Sequence, residues 1–203
     1  MKKIFFFSFL LILSFFSFAQ VSLESLVKPG TKLIYAVVAG EQKYDFIITI
    51  KALTPALVFD WQMTDPINTR GTITHTAKAM IIASTMNNYF SPGEKTLDDN
   101  TISVWLSKNV YAGLIKNGKS VLMQMNTGEE PKNMGMFTEN KELKIIVNGE
   151  KDTVDEEIVK ELNNDGRPTA NEDYFTFYRS AKLPIILRMQ NGFNIVLKEI
   201  KTK

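Results

Sequence analysis

The sequence predicts a mostly β protein, an antiparallel roll or open barrel with up to two short helices. Three observations lead there. Residues 43–51 (KYDFIITIK) alternate, with Tyr44, Phe46, Ile48 and Ile50 on one face and Asp45, Ile47 and Thr49 on the other, the period-2 pattern of a strand. Asn-Gly, the strongest short-range hairpin signal, occurs between β-rich stretches at Asn148-Gly149 and again at Asn191-Gly192. About ten strand-like segments follow one another with no strand–helix–strand rhythm, which points to antiparallel rather than parallel layers.

The elements follow in order. Pro29-Gly30 reads as a turn, residues 32–39 (KLIYAVVA) as a strand, and Gly40-Glu41 as the turn into the alternating strand 43–51. Residues 56–63 (ALVFDWQM) put Leu57, Phe59 and Trp61 on one face of a third strand; 66–68 is a loop and 70–76 a Thr-rich fourth strand. Residues 77–89 place Ala79, Ile82, Ala83 and Met86 at helical spacing, and their alanines favour a helix. A second helix would begin at Ser107 as N-cap, bury Val110, Tyr111, Leu114 and Ile115, and stop at Gly118. A hairpin turning at Asn117-Gly118 competes with it for the same residues. Residues 104–106 read as a short strand. The two Asn-Gly turns then define hairpins 143–147 with 151–159 and 184–190 with 193–200, and the aromatic strand 174–178 lies between them. The polar stretches 91–100, 126–133 and 163–171 read as surface loops.

Composition sets the functional frame. Lys2 and Lys3 precede an apolar run from Ile4 to Phe18 that ends in Ser17-Phe18-Ala19, the layout of a secretory signal peptide. The run is shorter than the roughly 20 residues of a membrane-spanning helix, so export and release are expected, to the periplasm or beyond the cell. Cleavage after Ala19 leaves residues 20–203 as a single β-rich domain, long enough to bury a core without staples. The chain has no cysteine, which excludes disulfides, thiolate metal sites and thiol catalysis. Losing Lys2 and Lys3 brings the 24 basic residues level with the 22 acidic ones, so net charge gives no reason to bind nucleic acid.

No catalytic signature or cofactor fingerprint is present, and the expectation is a non-enzymatic protein. His75 is the only histidine and sits in the Thr-rich strand without an evident nucleophile. Glu94 with Asp98-Asp99-Asn100 lacks the ligand spacing of a calcium loop, and Glu156-Glu157 with Asp173 lacks the fixed separation that sugar hydrolysis needs. Met123-x-Met125 and Met134-x-Met136 would bring four thioethers together if their strands pair; soft sulfur suits Cu(I), but without supporting His or Cys the pairs read first as an adaptable core or apolar groove. Trp61, Trp105, Tyr89, Phe90, Tyr174 and Tyr178 are the large aromatics that a binding site would use. The candidates for ligand contact are Trp61, Tyr89, Trp105, Met123 and Met125, with no metal ligands. The expected partner is a small hydrophobic or amphipathic molecule held in a concave sheet; the alternative is a cell-envelope module with a protein or glycan partner.

The chain also resembles a group of exported, uncharacterised β-rich proteins of Bacteroidota. The resemblance rests on the signal ending Phe18-Ala19-Gln20, Gly30 with Tyr35, Val58-Phe59-Asp60-Trp61, 71–74 (GTIT), 183–189 (LPIILRM) and 197–200 (LKEI). The closing strand, Asn-Gly turn and last strand are similar to a domain-of-unknown-function family of spiral β-roll or lipocalin-like shape. It implies that fold and supplies no catalytic residue.

Overall fold

The computed structural model describes residues 22–65, 67–116, 120–171 and 173–203. The signal-peptide reading of 1–19, Pro66 of the 66–68 loop and the Asn117-Gly118 pair lie outside the described residues. The fold is mostly β. One sheet of eleven strands has the order β6-β4-β3-β2-β1-β13-β12-β11-β10-β9-β8. Its first half is a meander of β1 (Lys32–Ala39), β2 (Gln42–Ala52), β3 (Leu57–Met63) and β4 (Arg70–His75), edged by β6 (Gly93–Thr96). Its second half is built from β8 (Ser120–Met123), β9 (Lys132–Val147), β10 (Glu150–Glu161), β11 (Tyr174–Phe177), β12 (Ile186–Gln190) and β13 (Asn194–Lys201).

The sheet closes on itself in the second half. Residues 194–196 of β13 pair with β12, whereas Glu199 and Ile200 pair in parallel with Ile146 and Val147 of β9. Strands β9 to β13 thus form a closed five-stranded barrel, and the meander extends outward from β13 through β1. Closure removes two free edges that would otherwise invite pairing with another chain.

Cross-strand pairing explains the core. Leu33 faces Ile48, Tyr35 faces Phe46 and Val37 faces Tyr44 across the first hairpin. Ile48 then faces Trp61, Ile50 faces Phe59, and Phe59 faces Ile73. The alternation read from residues 43–51 therefore becomes one continuous apolar face, on which Leu33, Ile48, Leu57 and Phe59 are fully buried. The helix α3 (Lys108–Ile115) covers part of the barrel, with the Tyr111 ring edge-on to Phe177 at 5.9 Å. Ser107 caps it by accepting from the Val110 N–H at 3.3 Å, so the segment folds as the helix and not as the competing hairpin.

Several expectations are corrected. Residues 77–89 yield only α2 (Ala79–Ile82), because the chain turns extended at Ala83 and Thr85-Met86 form β5 against β7 (Thr101–Ile102). Thr85 also donates to Gln124 Oε1 at 2.6 Å, so tertiary pairing overrides a helix too short to stand alone. Residues 104–106 make a single bridge, Trp105 to Ile185, in place of a strand. The loop 91–100 contains the edge strand β6, and β9 starts at Lys132, well before the hairpin that the sequence marks. A third short helix, α1 (Leu23–Leu26), was not expected. Pairing is not wholly antiparallel, since β4–β6, β5–β7 and β9–β13 run parallel. The two Asn-Gly turns also differ. Asn148 and Gly149 both have positive φ, 51° and 91°, whereas at the second only Gly192 does, in a three-residue loop between Gln190 and Asn194. Among the described residues no helix is long and apolar enough to cross a membrane.

Gly71 marks a point of close approach. A Cβ there would overlap the Gly93 carbonyl of β6 and press on the Trp61 indole. Gly71→Ala is therefore expected to cost about 1–3 kcal/mol by overpacking, read as a lower urea midpoint with unchanged slope.

Candidate functional site

An apolar pocket of about 260 Å³ lies where the meander meets the barrel. Its walls come from three places. Tyr35, Val37 and Phe46 project from the first hairpin, and Ile186, Met189 and Ile195 from the last one. Two connecting segments, 88–90 and 103–104, close the remaining side. Phe90 is the central wall residue, with its ring 4.5 Å from Phe46 and 5.3 Å from Trp61, centroid to centroid. Such tilted aromatic contacts add about 0.5–1.5 kcal/mol each beyond area burial and fix the shape of the wall.

Three polar side chains of this wall donate to backbone carbonyls. The Tyr35 hydroxyl donates to the Ile186 carbonyl at 2.9 Å. The Asn88 amide donates to the Met125 carbonyl at 2.7 Å, and the Ser103 hydroxyl to the Asn87 carbonyl at 2.8 Å. Burial pushes the Tyr35 phenol far above its ordinary pKa, so it stays a neutral donor. Tyr44, at the edge, is also raised, by burial first and then by the Asp65 carboxylate. No Lys, Arg, Asp or Glu is among the described lining residues. The arrangement suits an apolar body and offers it no buried ionic anchor.

Val104 is held in an unfavourable conformation beside the pocket. Its φ is 63°, the left-handed region, where a β-branched residue is a genuine outlier costing on the order of 1–3 kcal/mol. Its surroundings enforce this. The Ile186 N–H donates to the Val104 carbonyl at 2.7 Å and the Leu106 N–H to that of Pro184 at 2.9 Å. The Ser103 N–H donates to His75 Nε2 at 2.9 Å, and His75 Nδ1 lies 3.3 Å from the Leu57 carbonyl. The two partners assign the imidazole proton to Nδ1. His75 is fully buried, and burial lowers its pKa to about 4, against a small opposing effect from the Leu57 carbonyl. It acts as a neutral brace for the pocket wall.

The structure distributes the five ligand-contact candidates unevenly. Tyr89 stands at the pocket rim and is 71% exposed. Trp61 is buried behind Phe46 and Phe90, with its indole N–H unpartnered among the described residues. Trp105 is buried against Phe59, ring to ring at 6.2 Å. Met123 and Met125 are core residues, and Met125 serves the pocket through its carbonyl, which holds Asn88. Met134 is also fully buried, on the strand paired with that of Met123. Among the described residues no group of three His, Asp or Glu is placed to hold a metal ion.

The other sequence candidates are dispersed. Glu156 meets Arg188 and Thr176, Glu157 meets Arg179, and Asp173 meets Lys132, so the three carboxylates do not share one cleft. Asp98 accepts from Asn100 N–H and the Thr101 hydroxyl. Asp99 is held below the usual carboxylate range by its hydrogen bond from Thr76 first and then by Lys78. Sequence reading missed Tyr35, Val104, Met189 and Ile195. Only Tyr35 had a signal, its place on the same hairpin face as Phe46.

Fold and site together define a barrel-containing β protein with a partly open apolar pocket. No family model matches the chain, and no curated protein or solved structure matches it.

Proposed function

We propose that this is an exported, non-enzymatic binding protein that holds a small hydrophobic or amphipathic molecule in the pocket between Phe46, Phe90 and Met189. The observation that carries this reading is a mainly apolar cavity with no charged residue in its described lining, in which Tyr35, Asn88 and Ser103 each spend a donor on a backbone carbonyl. Size narrows the occupant. An apolar cavity of roughly 150 Å³ takes benzene, and drug-sized sites start near about 300 Å³. At about 260 Å³ the pocket fits a single ring with a short alkyl tail, its polar end directed past Tyr89 to solvent.

Thermal unfolding against benzene, ethylbenzene and butylbenzene tests this. A ligand that binds only the folded state at about 100 times its Kd adds about 2.7 kcal/mol, or roughly 5–10 °C for a domain of this size. Butylbenzene is expected to stabilise most. Val37→Trp, which fills the pocket, is expected to abolish the shift while leaving a folded protein. No shift with any member of the series overturns the reading. Tyr89→Ala is expected to leave stability within about 0.5 kcal/mol, since the ring is exposed, yet to weaken butylbenzene binding several-fold by opening the rim.

A further inference from the structure

A second concavity lies at the other end of the first hairpin. The apolar pocket, lined by Val37, Ala39 and Tyr44, sits beside the turn that joins β1 to β2. The chain leaves β2 at Ala52, the far end. There a groove of about 330 Å³ is formed by residues of four connecting segments, 53–55, 77–81, 106–108 and 181–184. It shares no lining residue with the apolar pocket and does not depend on that assignment.

The groove is held open by hydrogen bonds behind it. Leu106 and Pro184 are its buried lining residues, joined by the Leu106 N–H donating to the Pro184 carbonyl at 2.9 Å. Ser180 Oγ accepts from the Lys182 and Leu183 N–H groups and fixes the turn that carries Ala181 and Lys182. Leu53 and Met80 are half-buried, and no aromatic ring lines the groove among the described residues. Ile81 in its wall is 46% exposed. Its neighbour Ile82 is 40% exposed, although helical spacing groups it with the buried Ala79 and Ala83. Adjacent exposed isoleucines beside an apolar groove form a surface that a bound apolar body would cover.

Charge around the groove has one sign. Residues 51–55, 77–82, 105–109 and 179–184 carry five cationic residues and no acidic one. Three of the five are paired with acids from other segments: Lys51 with Asp60 at 3.1 Å, Lys78 with Asp99 at 3.1 Å and Arg179 with Glu157 at 3.0 Å. The other two, Lys108 and Lys182, are the ones that line the groove. Lys182 meets Glu24 only at 4.0 Å with its side chain 86% exposed, a contact of little worth. Lys108 has no ion pair among the described residues.

We propose that this groove binds a linear aliphatic carboxylate of about eight to ten carbons, its chain against Leu53, Met80 and Leu106 and its head at Lys108 and Lys182. A cavity of roughly 150 Å³ takes the six carbons of benzene, so about 330 Å³ takes roughly ten to thirteen non-hydrogen atoms. Branched and flexible walls without rings suit an alkyl chain. The lysine stems extend that apolar wall while their ammonium groups stay in water beside the carboxylate.

The test is a two-dimensional amide NMR titration of the protein with octanoate, and with 1-octanol and octylammonium as controls of equal chain length. Octanoate is expected to give saturable shifts at Leu53, Met80, Ile81, Leu106 and Ala181 with a Kd of about 1 mM or tighter. Octylammonium is expected to bind about tenfold more weakly, since two exposed charge pairs are each worth up to about fivefold. The double variant Lys108→Glu with Lys182→Glu changes two exposed side chains, so the fold is retained. It is expected to lose the preference for octanoate over octylammonium and to leave 1-octanol binding unchanged. No saturable octanoate shift at these residues overturns the proposal, as do shifts confined to Val37, Phe90 and Met189. Octylammonium binding the parent protein as tightly as octanoate, or the double variant keeping the parent's preference, overturns it too.

Discussion

Phe46→Ala is expected to cost about 3–5 kcal/mol of stability, the range for deleting a buried phenylalanine ring. Phe46 is 2% exposed and touches three other rings, Phe90 at 4.5 Å, Trp61 at 6.3 Å and Tyr35 at 6.5 Å. Neighbouring strands cannot collapse into the space, because Tyr35 and Met63 are its register partners on either side and are fixed by pairing. The vacated volume instead joins the existing pocket. Two measurements check this: a loss of that size in urea unfolding, and a larger stabilisation by butylbenzene in the variant than in the parent chain. A loss below about 1 kcal/mol would mean that Phe46 is not part of a close-packed wall.

The second large effect is acid sensitivity through His75. The fold accepts the imidazole only as the neutral ring, donating to Leu57 and accepting from Ser103, and its pKa is lowered to about 4. In the unfolded chain the ring takes a proton near its ordinary value of about 6.5. Between those values the unfolded state binds more protons than the folded one, so stability rises with pH across this window. The full contribution is present above about pH 6.5. It falls by about 1.4 kcal/mol per unit on acidification, and about 3 kcal/mol is gone by pH 4. Carboxylates add their own slope below pH 5, so the readout is the difference between parent and His75→Gln. The variant is expected to be less stable at pH 7, lacking the Ser103 acceptor geometry, and to lose less on going from pH 7 to pH 4.5. Equal acid losses in both proteins would remove His75 from the account.

Because His75 braces Ser103, and Ser103 precedes the strained Val104, protonation of His75 acts directly on the pocket wall. Protonation deprives the Ser103 N–H of its acceptor at a buried position, which costs more than the bond itself contributed.

Much of the strand architecture was legible because local patterns agreed with tertiary needs. Residues 32–39 match β1, and the alternation of 43–51 survives intact because only one face of that hairpin meets the core. Asn148-Gly149 folded as its sequence demands, with both residues at positive φ. What failed to show were long-range decisions. Nothing in residues 146–147 or 199–200 announces the parallel contact that closes the barrel, and nothing in 83–86 announces that Thr85 pairs with Gln124. The site was less legible still. Tryptophan and methionine attract attention by size and softness, yet Trp61, Trp105, Met123 and Met125 went to the core, where large apolar side chains repay burial best. The wall was left to ordinary residues such as Val37, Met189 and Ile195, and to Val104, whose conformation no sequence pattern foretells.

A two-dimensional amide NMR titration of the protein with butylbenzene tests pocket binding at single residues. Saturable shifts are expected at Val37, Phe90, Val104, Met189 and Ile195, with Thr176 and Arg188, which alternate with Phe175 and Met189 onto the other face of the barrel wall, unmoved. No saturable shift, or shifts confined to Thr176 and Arg188, would contradict it.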